Sequence, residues 1–162
     1  MAKHTAPRTV LVTGANGYIG SAISRSFVRA GWKTYGLICS QKHASALSYN
    51  DMIPVLGSFN DPSFPFLTKL NEEGVVFDVV ISTTEQLSNY IPHYNAIIPL
   101  LHKVVELTKD SDKLATSPGL RPHTESSLLN SPKALRDRAN YAMRAFHHGD
   151  AFDAAVIRPT NV

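Results

Sequence analysis

Gly14, Gly17 and Gly20 stand three residues apart, directly behind the mostly β-branched run Thr9-Val10-Leu11-Val12-Thr13. In the segment Gly14-Ala15-Asn16-Gly17-Tyr18-Ile19-Gly20 the chemistry on offer is anion binding by the main chain. Gly14 allows a tight turn at the end of a strand. Gly17, with no Cβ, lets a phosphate approach the backbone, and Gly20 lets a new helix lie close to the sheet. The helix then presents unpaired N–H groups and the positive end of its dipole to a pyrophosphate. Glycine spacing alone is weak. Here Ile19, Ala22, Ile23, Phe27 and Ala30 follow at helical intervals, as a strand–turn–helix requires.

A pocket of this kind needs a sheet behind it. Apolar runs alternate with helical patterns along the chain. Strands are expected at 9–13, 33–39, 52–56 and 75–82, with a weaker one at 113–116 and a sixth at 152–158. Helices are expected at 18–30 (closed by Gly31), 42–47, near the end of 62–73, at 89–109 and after Ser131, where Pro132 takes the first helical position. Pro99 is expected to kink the fourth of these. Continuous apolar strands alternating with amphipathic helices imply an α/β fold: a Rossmann-type, doubly wound parallel sheet of about six strands with helices on both faces. Residues 117–132, rich in Ser, Pro and Thr, read as a long surface loop.

Composition narrows the function classes. The 162 residues suffice for one domain with a real core, and 43% hydrophobic with 18% charged residues is a globular balance. A net charge of +3 without a basic stripe gives nucleic acid no footprint. Cys39 is the only cysteine, so an internal disulfide is excluded and a reducing, cytoplasmic setting is expected. No secretory leader and no apolar run of membrane-spanning length is visible. Cys39 ends an expected buried strand, which suggests inert packing. The seven histidines show no metal-ligand spacing, and Asp110 and Asp112 read as loop residues. No metal site is expected.

Taken in order, the motifs resemble a known family. Val12-Thr13-Gly14-Ala15-Asn16-Gly17-Tyr18-Ile19-Gly20 resembles the cofactor loop of extended short-chain dehydrogenase/reductases, the NAD-dependent epimerase/dehydratase group. Asp78-Val79-Val80-Ile81-Ser82-Thr83-Thr84 resembles that family's fourth strand and the loop beside the cofactor. Asn95 resembles the Asn on the following helix, and Arg158-Pro159-Thr160-Asn161-Val162 its sixth-strand segment. The resemblance implies binding of NAD or NADP, with Gly14 through Gly20 on the pyrophosphate, Ser82, Thr83 and Thr84 along the cofactor, and Ser58 and Phe59 flanking the adenine. It implies hydride transfer on a hydroxyl or carbonyl compound as the activity, with the substrate unidentified and a homodimer allowed. The family continues beyond the Arg-Pro-Thr-Asn-Val segment into a substrate-binding region. The expectation is therefore a single NAD(P)-binding domain over 1–162 with that region absent or truncated.

The family's reaction uses Tyr-x-x-x-Lys on one helix face, where the tyrosine moves the proton and the lysine lowers its pKa. Residues 134–145 supply no register with both groups. Tyr141 as the acid places Ala145 in the lysine slot. Arg138 as the lysine counterpart places Ala134 in the tyrosine slot, and the short distance from Arg138 to the sixth strand favours this register. Arg138 and Tyr141, three apart, could also form a reversed pair around a permanent cation. The alternative is an amphipathic helix with a tyrosine at the core margin. Thr116 and Ser117 lie where the family places the hydroxyl that bonds the substrate oxygen, and they equally suit a turn before Pro118.

The end of the second strand selects the coenzyme. A carboxylate there would bind the 2′-OH of NAD, and a cation with small polar groups the 2′-phosphate of NADP. Residues 32–50 contain no Asp or Glu, while Ser40, Gln41, Lys42 and His43 follow the strand. The electrostatics favour NADP, with Ser40 and Lys42 as its contacts. Two readings remain: an oxidoreductase or epimerase, or a non-catalytic module that binds the dinucleotide or regulates in response to it, including an inactive piece of a longer enzyme.

Overall fold

The computed structural model describes residues 7–58, 61–84, 90–109 and 147. In chain order these form β1 (Thr9–Thr13), α1 (Tyr18–Arg29), β2 (Lys33–Ile38), a short 3-10 turn (Gln41–His43) running into α2 (Ala44–Tyr49), β3 (Ile53–Leu56), α3 (Pro65–Glu72), β4 (Val79–Ser82) and α4 (Tyr90–Lys109). All pairings are parallel, in the order β3-β2-β1-β4. Leu11 is flanked by Tyr35 on one side and Val80 on the other. Four of the six expected strands fall within the described residues. Those expected at 113–116 and 152–158 lie outside them, as do the loop at 117–132 and the helix after Ser131.

The period-2 alternation of side chains sorts the core into two layers. Val10, Val12 and Ile38 turn to the face covered by α1 and α2, where they pack with Ala15, Leu47 and Met52. Leu11, Tyr35, Leu37 and Val55 turn to the other face and meet Phe64, Leu67, Phe77, Leu100 and Val104 from α3, α4 and their connections. Helices thus lie on both faces, and the winding reverses at β1. The connections from β1 to β3 cross one face, and the connection to β4 returns over the other.

Several expected boundaries shift, and a single device explains two of them. Each of the first three helices hands its chain to the next segment through a left-handed residue. At the end of α1, Gly31 (φ +78°) donates to Val28 O and Trp32 N–H reaches back to Phe27 O. At the end of α3, Gly74 (φ +77°) donates to Asn71 O and Val75 N–H to Leu70 O. At the end of α2 the same pair of bonds forms from Asp51 to Ser48 O and from Met52 to Leu47 O, with Asp51 at φ +57°. This is the Schellman arrangement, and its usual apolar clasp is present: the rings of Trp32 and Phe27 meet edge to face at 5.0 Å. Val75 and Met52 were expected to open strands. Their N–H groups are instead spent on closing helices.

β4 consequently runs Val79–Ser82 rather than 75–82. Its start is clamped by Asp78, whose carboxylate accepts Thr9 N–H at 2.6 Å while its own N–H donates to Thr9 O at 2.9 Å. β2 ends at Ile38, one residue before the expected Cys39. The thiol of Cys39 is exposed, which corrects the expectation that it packs inertly in a strand. The helix expected at 42–47 is resolved into the 3-10 turn and α2.

The buried side of α1 also differs. Gly20 and Ser24 face the sheet with Phe27 and Val28 partly covered, whereas Ile19, Ala22 and Ala30 are exposed. Small residues let the helix sit close to the strands. Pro54 occupies the middle of β3, the outer strand, opposite Gly36. Phe64 enters α3 in the left-handed region (φ +45°), a strained conformation for an L residue, and its ring is fully buried.

Candidate coenzyme cradle

The site grows from the carboxyl ends of β1 and β4, where the sheet reverses its winding and crevices open in doubly wound folds. β1 delivers the chain into Gly14, whose φ of +66° is one that glycine adopts without strain. Gly17 N–H donates to Gly14 O at 2.9 Å, closing the turn, and Ser21 N–H donates to Gly17 O as the first bond of α1. The N–H groups of Tyr18, Ile19 and Gly20 therefore lie in the first helical turn, where α-helical geometry supplies no acceptor. No side chain caps this terminus, and its first turn carries no acidic residue. Such a terminus is electropositive and open to an anion.

Close approach is built in at each glycine. A Cβ on Gly20 would lie 2.2 Å from Gly14 O and 2.6 Å from Thr83 Oγ1. On Gly14 it would lie 2.9 Å from Thr84 Cγ2 and 3.1 Å from Thr83 Oγ1. On Gly17 it would meet only Gly14 O, at 3.2 Å. Gly14 and Gly20 thus serve internal packing, and Gly17 lies on the exposed side. Ala15 is fully buried. Its methyl group faces Gly36, where an added Cβ would come within 2.8 Å of Ala15 Cβ and 2.4 Å of Leu47 Cδ2. Asn16 and Ile19 are exposed, and Tyr18 is 95% exposed.

The expected residues from β4 gather here. Thr83 Oγ1 donates to Thr13 O at 2.6 Å, and its backbone N–H approaches the same carbonyl at 3.4 Å. The hydroxyls of Thr13, Ser82 and Thr84 form a ring with separations of 3.3, 3.3 and 3.5 Å. Thr13 in this ring is fully buried, whereas Ser82 is exposed and Thr84 half-buried. Ser40 continues past β2 in extended conformation, and Lys42 is exposed in the following turn. Both stand at the carboxyl end of the strand next to β1. Ser58 follows β3 and is half-buried. Asn95 is exposed on α4. Phe59, Thr116, Ser117, Arg138 and Tyr141 lie outside the described residues. Among the described residues no group of His, Cys, Asp or Glu could hold a metal ion, and no helix is long and apolar enough to cross a membrane.

Sequence reasoning missed two contributors. Gly36, a glycine inside a strand, signals close backbone approach, and that is the clue which points to the loop's floor. Thr13 enters the sequence reading as the last strand residue and as part of the loop motif, with no role for its side chain, yet its hydroxyl and carbonyl both organise the junction.

The fold and this crevice define the class: an α/β protein with the doubly wound architecture of short-chain dehydrogenase/reductase structures. No family model matches the chain, and no curated protein does. Solved structures do. A short-chain dehydrogenase from Leptospira borgpetersenii with bound NAD+ superposes with a TM-score of 0.62 at 14% identity, covering 90% of this chain and 67% of that one. RhlG of Pseudomonas aeruginosa, in an NADP active-site complex, gives 0.61 at 15% identity, covering 90% and 68%. Leucoanthocyanidin reductase of Vitis vinifera, in a ternary complex, gives 0.55 at 20% identity, covering 86% and 42%. At these identities the likeness is one of fold. The chain spans about two thirds of the first two structures and less than half of the third.

Proposed function

We propose that this chain binds a nicotinamide dinucleotide, with the pyrophosphate seated on the main chain of Gly14–Gly20. The observation that carries this reading is the uncapped, acid-free first turn of α1 behind a left-handed Gly14, at the point where the sheet reverses its winding. Neighbours of the same fold were crystallised with NAD+ and with NADP. NADP is favoured over NAD. Residues 32–50 carry no carboxylate to bond a ribose diol or repel a 2′-phosphate, and Lys42 stands exposed beyond β2.

The bound coenzyme supplies hydride chemistry on a hydroxyl or carbonyl carbon. The chain's own residues then have the task of holding the substrate oxygen and moving its proton. Thr116 or Ser117 would bond that oxygen, Tyr141 would exchange the proton, and Arg138 would supply the fixed positive charge that favours a tyrosinate. The reading as an oxidoreductase or epimerase rests on these four residues and on the order of the sequence motifs.

A second reading is favoured by one specific observation: residues 134–145 never place Tyr and Lys four apart. On this reading the chain binds the dinucleotide without turning over substrate. Calorimetric titration with NADPH and NADH, followed by turnover assays on a carbonyl panel, separates the two. Binding with turnover that Tyr141→Phe abolishes supports the enzyme. Binding without turnover supports the module. No heat with either coenzyme, from folded protein, sinks both.

A further inference from the structure

We infer that Thr83 is a positioning residue that fixes the shape of the glycine loop, with its hydroxyl committed to the main chain and not to a ligand. This goes beyond the coenzyme reading and depends on it only for the binding measurement below. The resemblance placed Thr83 along the cofactor together with Ser82 and Thr84, but the geometry separates it from them. Its Oγ1 carries one hydrogen, and the 2.6 Å bond to Thr13 O uses it; Gly14 O, at 3.5 Å from the same oxygen, is only a neighbour.

The position of this hydroxyl matters because two of the three loop glycines are shaped around it. The places where Cβ atoms of Gly20 and Gly14 would stand are 2.6 and 3.1 Å from Thr83 Oγ1. The side chain therefore occupies the notch left by the two missing methyl groups. Thr13 O is the last carbonyl of β1, and it receives both the side-chain and the main-chain donor of Thr83. β1 and β4 are thereby joined one residue beyond their last paired residues, Thr13 and Ser82. Immediately after this joint the chain must turn through Gly14 and offer Gly14 O to Gly17 N–H. On the opposite side Ala15 is plugged against Gly36 and Leu47. The loop is thus held on the face that α1 covers, by Ala15 from the β2 side and by the Thr83 hydroxyl from the β4 side.

Thr83→Val replaces the donor with a methyl group of the same shape next to a carbonyl, and Thr83→Ser keeps the donor. In the unliganded full chain, T83V should speed amide hydrogen exchange at Gly17, while T83S matches the parent. The dissociation constants for NADPH and NADH should both rise about tenfold in T83V and stay within about twofold of the parent in T83S, the scale of one hydrogen bond. Unchanged exchange at Gly17 in T83V overturns the inference. So does unchanged affinity for both coenzymes in T83V. A parent that binds neither coenzyme defeats the coenzyme reading, and the exchange comparison still decides the role of Thr83. If T83V does not fold, Thr83→Ala set against T83S provides the same contrast.

Discussion

Gly20 shows how much of the site is decided by atoms that are missing. A methyl group there would have to share space with Gly14 O and Thr83 Oγ1, and the first of these is main chain that cannot swing aside. Gly20→Ala is therefore expected to lower stability by about 1–3 kcal/mol, the usual range for overpacking, and to abolish coenzyme binding by opening the turn. Urea denaturation and calorimetry check the two halves. Gly17→Ala should behave differently, because its added methyl meets only Gly14 O at 3.2 Å. It should cost little stability and mainly obstruct the phosphate. Equal stability losses in the two variants would refute this division of labour. The triplet itself was legible in the sequence, because glycine spacing after a strand carries its own geometric meaning. The partners of the triplet were not, because Thr83 and Gly36 are distant in sequence and only the parallel register brings them to the loop.

At the scale of elements, the helix ends carry the clearest test. Three helices close with the same pair of backward bonds, two through glycine and one through Asp51. A left-handed L residue is strained by roughly 1 kcal/mol. Asp51→Gly should accordingly stabilise the protein by up to about that amount, and Gly74→Ala should destabilise it by a similar one. The midpoints of chemical denaturation would move in opposite directions, and a shared direction would count against the capping account. The entry to α3 makes a pH prediction. The Asp61 carboxylate accepts the Ser63 hydroxyl at 2.6 Å and the Ser63 N–H at 3.0 Å, and these bonds hold its pKa below the ordinary value of 3.8. A lowered folded pKa contributes stability that is fully present above the unfolded value and is lost as pH falls through the folded one. Acid titration of unfolding should show this loss below about pH 4 in the parent, and Asp61→Asn should remove that component. The effect is small, because the group is solvent-exposed.

These same ends explain which boundaries could be read in advance. The starts of β1 and β2 and the span of α1 followed from apolar patterning and Gly31. The start of β4 did not, since hydropathy cannot reveal that the N–H of Val75 closes α3 rather than joining a ladder. Ile19 and Ala22 misled for a related reason. Their spacing is helical, but the contact with the sheet is made by Gly20 and Ser24, which hydrophobic periodicity does not score.

At the scale of the whole molecule, β3 is an outer strand of the described sheet. Gly57 N–H donates to Ile38 O, so donors of this strand alternate inward at Gly57, Val55 and Ile53 and outward at Leu56, Pro54 and Met52. Of the outward three, Met52 is occupied with Leu47 O and Pro54 has no hydrogen to give. Among the described residues the outer rim keeps one amide donor, on Leu56, beside apolar side chains at Ile53 and Leu56 that solvent can reach. A foreign strand would find greasy flanks and carbonyls to donate to, but almost none of the amide donors it needs in return. Restoring a rung with Pro54→Val should turn this silent border into a seeding surface, visible as thioflavin-positive fibres or rising light scattering at concentrations where the parent stays clear.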